Sequence, residues 1–538
     1  MKTQVTDNSD GTQTLHFDRA DQPADLNPQR EKRRGLLRSV DADDVKRAKA
    51  QMEAEAAHHW PSPEEPTKVA RKLIERKAFN GGSPLFWQDD WMTWTGSHWT
   101  RVDEKVLSSN LRKILEHGKY LKTKTKDNVV EQVEMPWPLK IAPLREVRVA
   151  LQEVSTVDST AVPAWVREDG TVVADHPLGA PGDWIAFGNG LFNWRDRRFV
   201  PSSREFFNQS SLPYSYDPDA AEPSLWLRCL DQWFPGDAEA IQLLQEWFGY
   251  VLSGRLDLEA ALYVQGVPGS GKTTVRKVLE KLVGSANVVS MSTNELNNDN
   301  FGLEKTIGKS LIVFPEAEFR RNAAASVEKF KSIASGEPES VRRKNKTDWE
   351  GVLPGRMMFT SNHAPHFPDN SGAPLDRLYA LAMNQKFRGT EAMRSTLDRD
   401  LEGELSGILS WALDGLDRLN ARGRFVQPGG SHAEVLIEAA ELGSPLGLFV
   451  AECCDVGVGK DVGVLRGHTY ARYSGWCDDN GHKRLASNKF GSELKSYMES
   501  THPGLWEKKE KGIDRKPTDY GIALRDPEPR APTFKPRT

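Results

Sequence analysis

The stretch Glu259–Gly284 constrains this chain more than any other. It opens on Ala260–Val264, a short apolar run that reads as a buried strand. It closes on Val275, Val278, Leu279, Leu282 and Val283, spaced as on one face of an amphipathic helix. Between them Gly266-Val267-Pro268-Gly269-Ser270-Gly271-Lys272-Thr273 fits the pattern G-x-x-x-x-G-K-[ST], with Thr274 following. Glycines let backbone N–H groups turn inward and cradle phosphate oxygens at a helix N-terminus. In that arrangement Lys272 reaches the β- and γ-phosphates and the Thr273 hydroxyl holds Mg²⁺. The stretch therefore predicts a site for a nucleoside triphosphate and Mg²⁺, with Gly266 through Thr274 as the cradle.

At 538 residues the chain has room for about three or four domains. A net charge of −4 excludes a polycation, so contact with nucleic acid has to come from local basic patches. Cys229, Cys453, Cys454 and Cys477 form no C-x-x-C pair, which disfavours a zinc site and predicts a reducing compartment. No apolar run of membrane-spanning length and no export signal is found, so a cytoplasmic protein without a membrane partner is expected.

Residues 1–75 are polar and charged, and predict a mostly disordered arm in which the Lys32-Arg33-Arg34 triplet is a solvated surface. Residues 76–216 are dense in tryptophan: Trp87, Trp91, Trp94, Trp99, Trp137, Trp165, Trp184 and Trp194. Met92–Thr100 and Gly190–Val200 read as strand–turn–strand, and Val106–His117 as a helix, which predicts an α+β domain. Aromatic rings can stack on bases, but a buried core is the commoner fate of tryptophan. Pro213–Pro218 reads as a linker. Residues 217–255 read as two helices with a break at Phe234–Asp237, a collar, a lid or a plain packing layer.

Beyond the phosphate loop, Leu311–Phe314 is an apolar run followed by Glu316 and Glu318. A carboxylate at that end of a strand can hold Mg²⁺ and polarise water, and Glu316 is the first choice. A helix bearing Lys331 ends at Gly336 and leads into Arg342, Arg343, Lys344 and Lys346, four cations in five residues on a polar turn. Such charges are costly to bury and well placed to meet phosphates. Arg356–Ser361 is a further strand, and Asn362 at its end can orient the attacking water. Arg377 follows, a fixed arginine able to reach a neighbouring subunit's nucleotide.

The order of these motifs, within about 110 residues, resembles the superfamily 3 helicases of small viruses and mobile elements. More narrowly it resembles the phage/plasmid primase–helicase family with its poxvirus-type N-terminal helicase-associated domain. Leu212–Pro218, Leu244–Tyr250, Phe330–Gly336, Thr360–Pro365 and Asp400–Leu416 carry the narrower resemblance. It implies an α/β, P-loop, AAA+-like ATPase domain over residues 256–430, in a homo-hexamer around single-stranded DNA. It also implies ATP as the nucleotide, an acidic pair of Glu316 and Glu318, a sensor Asn362 and an arginine finger Arg377. Lys331 falls on the family's lysine before the hairpin and Lys344 or Lys346 on its pore-loop base, and Arg343 of the same turn is a further candidate for DNA contact. The acidic motif here is Pro315-Glu316-Ala317-Glu318 rather than adjacent carboxylates, and no acidic pair suited to primer synthesis is found upstream.

Residues 440–525 read as a small winged-helix-like unit. Tyr470, Tyr473 and Trp476 mark one helix, and Phe490, Leu494 and Met498 a second that carries Lys489 and Lys495. Its role is DNA contact or subunit packing. Residues 526–538 predict a loose tail. The resulting expectation is an ATP-dependent replicative DNA helicase of 3′→5′ polarity from a phage, prophage or plasmid. It would act in the host bacterium's cytoplasm on single-stranded and forked DNA, beside other replication proteins of the element. An ATP-switched initiator or loader is the alternative, and a protein-remodelling ATPase a third.

Overall fold

The computed structural model describes residues 3–7, 13–17, 59–79, 81–126, 129–158, 162–297, 302–317, 324–367, 373–387, 396–443, 445–459, 461–480, 484–509 and 511–525. The chain divides into two compact units. The first holds Met1–Ser159, Ala164–His176 and Arg204–Phe207; the second holds Thr160–Pro163, Pro177–Ser203 and Asn208–Thr538. This differs from a boundary at residue 216, because the chain crosses between the units more than once. The Lys32–Arg34 triplet and the tail 526–538 lie outside the described residues.

In the first unit, three helices pack beside a meander of Leu85–Trp87, Asp90–Trp94 and Trp99–Val102. Helix Pro66–Glu75 buries Val69, Ala70 and Leu73 in this core, so the polar arm expected to run to residue 75 is corrected. Its few apolar positions fall on one face within a run of lysine, arginine and glutamate, where average composition hides them. Strands Thr3–Asp7 and Gln13–Phe17 also pair, in antiparallel register. Helix Glu104–Leu115 presents Leu107, Leu111 and Leu115 inward and is capped by Asp103, whose carboxylate accepts from the Lys105 N–H at 2.7 Å. Trp87, Trp91, Trp99, Trp137 and Trp165 are buried here. The indoles of Trp99 and Trp137 donate to the carbonyls of Arg204 and Pro61. These tryptophans are core rather than stacking platforms.

The second unit is built on a five-stranded parallel sheet. Its strands are β1 (Ala261–Gly266), β2 (Val288–Ser290), β3 (Leu311–Phe314), β6 (Arg356–Ser361) and β7 (Leu378–Met383). The spatial order is β2-β3-β6-β1-β7, with β4 (Pro338–Val341) and β5 (Trp349–Val352) forming a separate antiparallel hairpin. β3 and β6 are buried at every position, as expected of strands covered on both faces.

Helices α1 (Ser224–Trp233), α2 (Ala238–Ser253), α3 (Lys272–Val283) and α5 (Leu405–Arg422) share one core with this sheet. A further helix, α4 (Ala324–Ala334), precedes the hairpin. The two helices of the 217–255 module are thus packed on the sheet's core. Two glycines let α2 and α5 approach closely: a Cβ on Gly249 would stand 2.5 Å from the Ala412 carbonyl oxygen, and one on Gly415 2.6 Å from Gln245 backbone atoms. Buried Glu246 accepts from Arg418 at 2.7 Å and from Arg422 across the same crossing. Tyr214 and Tyr216, read as linker, pack on this core, and the Tyr214 hydroxyl donates to the Leu282 carbonyl at 2.8 Å.

The C-terminal part of the second unit has its own core. Helix Pro445–Cys453, α6 (Arg466–Asn480) and α7 (Ser487–Thr501) enclose Phe449, Tyr473, Trp476, Phe490, Leu494 and Met498. Thr518–Tyr520 pairs with both Gly463–Leu465 and Glu507–Lys509, and Ile522–Leu524 returns to pair with Cys454–Val456. Buried Asp519 accepts from Arg466 and locks the strand to α6. Among the described residues no helix is long and apolar enough to cross a membrane.

Candidate nucleotide site and its neighbours

The glycine loop leaves the carboxyl end of β1, which lies between β6 and β7, and runs into α3. Gly269 and Gly271 have φ of +84° and +103°, in the left-handed region that favours glycine. A Cβ on Gly271 would stand 2.5 Å from the Trp233 indole nitrogen, so α1 forms the wall behind the loop. The Phe387 N–H donates to the Gly269 carbonyl at 3.0 Å and closes it from the other side.

Lys272 begins α3. Its ammonium donates to the carbonyls of Gly266 at 2.5 Å and Val267 at 3.0 Å, and to the Asn362 side-chain oxygen at 3.0 Å. Burial lowers its pKa from the ordinary lysine value, with the charge of Glu316 acting in the opposite direction. Val267, Pro268, Gly269 and Thr273 are exposed, Thr274 is half-buried and Ser270 is buried. An ammonium, an exposed hydroxyl and open backbone N–H groups at a helix start form a donor set suited to a polyphosphate and its cation.

Asn362 follows β6, and Glu316 follows β3, the next strand over. Glycine loop, Asn362 and Glu316 therefore stand in that order along one edge of the sheet. Exposed Glu316 has φ of +50°, and the Ala317 N–H donates to the Thr360 carbonyl at 2.9 Å, which pins the turn to β6. Glu318 lies outside the described residues.

Arg377 sits at the other end of the sheet. It precedes Leu378, which pairs with Ala261, while Gly266 pairs with Met383. Six residues of strand separate the arginine from the loop of its own chain, about 20 Å. Its Nε donates to Ser335 Oγ at 2.9 Å, Nη1 to the Ala373 carbonyl at 3.1 Å, and Nη2 pairs with Glu259 at 3.0 Å.

The basic turn tops the β4–β5 hairpin. Arg342, Lys344 and Lys346 are exposed. Arg343, grouped on sequence with the DNA-facing bases, is corrected: it is 3% exposed and its Nε donates to the Thr347 carbonyl at 3.0 Å, so it braces the turn from inside. Lys331 is half-buried on α4. Buried Glu339 of β4 accepts from Ser332 at 2.5 Å and pairs with Lys329, tying the hairpin to α4. Sequence reasoning missed Ser335, Glu259, Glu339, Phe387 and Trp233. Glu259 carried a faint signal, as the charged residue that starts the apolar run into β1. The others meet the site only through tertiary packing.

Three family models match the chain. One described as D5 N terminal like covers residues 87–235, one described as a family of unknown function (DUF5906) covers 264–377, and one described as Poxvirus D5 protein-like covers 444–521. Over residues 87–235 and 444–521 the chain is thus similar to D5-type primase–helicases. Among solved structures, the apo structure of the NrS-1 C terminal region (305-718) is 12% identical, with a TM-score of 0.45, over 85% of this chain and 99% of that one. An A form apo structure of the NrS-1 C terminal region is 11% identical, with a TM-score of 0.42, over 81% and 96%.

Proposed function

We propose that this chain is an ATP-dependent DNA helicase of the superfamily 3 type, working as a ring on single-stranded DNA with 3′→5′ polarity in the replication of a phage, prophage or plasmid. The observation that carries this reading is the separation of Arg377 from Lys272. A ring brings the amino edge of one sheet to the loop of the next chain, and so completes at each seam a site that one chain lacks. The parallel sheet with a glycine loop leaving its central strand supports a P-loop, AAA+-like core, and the two-helix unit with paired strands supports a winged-helix-like C-terminal domain.

Bound ATP with Mg²⁺ supplies the phosphoanhydride bond that is cleaved. Lys272 and the loop N–H groups bind the phosphates, and Thr273 and Glu316 hold the cation. Asn362 orients the attacking water, and one carboxylate of the motif, Glu316 or Glu318, polarises it. Arg377 of the neighbouring copy meets the charge that develops on the γ-phosphate. Lys344 and Lys346, with Lys331 behind them, grip DNA phosphates.

Complementation tests the seam. Lys272→Ala and Arg377→Ala are each inactive alone. Mixed, they restore ATP turnover, because a seam then pairs an intact loop with an intact arginine. No recovery on mixing contradicts the reading.

A further inference from the structure

The side chain of Arg377 is already engaged in a single chain. Glu259 Oε2 lies 3.0 Å from its Nη2, and Ser335 Oγ accepts from its Nε and donates to Glu259 Oε2, both at 2.9 Å. The triangle is built from three places: the residue before β1's apolar run, the end of α4, and the residue before β7. Glu259 has φ of +48°, a conformation uncommon outside glycine, which aims its carboxylate at the amino edge of the sheet. Its side chain is 51% exposed against 24% for Arg377, so the pair is solvent-screened and readily exchanged. A polyphosphate carries more charge than one carboxylate and takes the guanidinium in its bidentate fork.

Ser335 also connects to the basic hairpin. Its N–H donates to the Lys331 carbonyl at 2.9 Å, and one turn earlier Ser332 and Lys329 hold buried Glu339 of β4. The serine that holds Arg377 is thus joined through α4 to the first strand of the hairpin.

We propose that Glu259 and Ser335 are positioning residues for Arg377. They keep its guanidinium extended at the seam, yield it to the neighbouring copy's nucleotide, and pass that exchange through α4 to the hairpin. The inference rests on the ring reading above, but its first test needs no turnover. That test is the rate at which phenylglyoxal modifies Arg377, followed by peptide mapping of the full chain. Glu259→Gln raises the rate about two- to fivefold, the range an exposed ion pair is worth. An unchanged rate overturns the clamp whether or not the chain hydrolyses ATP. The second test is the ratio of DNA-stimulated to DNA-free ATP turnover. Glu259→Gln raises DNA-free turnover and both Glu259→Gln and Ser335→Ala lower the ratio, whereas Ser335→Thr, which keeps the hydroxyl, restores it. Equal ratios in all variants, or a proportional loss that tracks a lowered melting temperature, overturn the link to the hairpin.

Discussion

The Lys272 ammonium donates to the side-chain oxygen of Asn362 at 3.0 Å, joining the first turn of α3 to the end of β6 across the glycine loop. The Lys272 ammonium and the Asn362 side chain are thus already in contact. Replacing Asn362 by Asp puts a carboxylate beside the ammonium, where it competes with phosphate oxygens. Asn362→Asp therefore weakens nucleotide binding by about tenfold or more. Asn362→Ala leaves binding within about threefold and lowers kcat by about a hundredfold. Nucleotide titration beside steady-state turnover separates the two effects.

The lowered pKa of Lys272 sets a pH dependence. Burial makes Lys272 shed its proton below the ordinary lysine value of 10.5, and only the ammonium attracts phosphate oxygens. Bound phosphate favours the charged form, so binding takes up protons in that range. Nucleotide affinity falls as pH rises through the lowered pKa, on the acid side of 10.5. Titrations with a fluorescent nucleotide from about pH 7 to about pH 10 check this, and a flat profile contradicts it.

The hairpin separates two kinds of basic residue. Lys344→Ala with Lys346→Ala removes two exposed cations, leaves folding intact, and lowers the slope of log affinity for DNA against log salt by about 2. Arg343→Ala instead removes the buried brace on the Thr347 carbonyl, and lowers the melting temperature. A salt series of binding isotherms beside thermal melts reads both.

The crossing of α2 and α5 depends on two missing side chains. Gly249→Val forces carbon into the Ala412 carbonyl, where even a Cβ would stand at 2.5 Å. The cost is about 1–3 kcal/mol or more. Denaturant melts followed by tryptophan fluorescence report it through Trp226, Trp233 and Trp247 of the same core.

How much of this was legible follows from the range of each signal. The loop, its strand and its helix were legible because phosphate chemistry fixes glycine spacing and burial fixes the period of Val275 to Val283. The ends of β3 and β6 were legible for the same local reason. The helix Pro66–Glu75 was not, because only four apolar residues, Val69, Ala70, Leu73 and Ile74, mark it among charges. Arg343 was misread because a run of cations does not say which one turns inward; that depends on the carbonyl of Thr347 across the turn. The clamp on Arg377 was illegible because Glu259, Ser335 and Arg377 lie far apart in the chain and meet only when β1, α4 and β7 are packed.

Strand displacement on a 3′-tailed and a 5′-tailed DNA fork, with ATP, tests the central claim most directly. The account predicts that the wild-type chain separates the 3′-tailed fork, and that Lys272→Ala separates neither. A chain that binds duplex DNA and nucleotide but displaces no strand from either fork contradicts it.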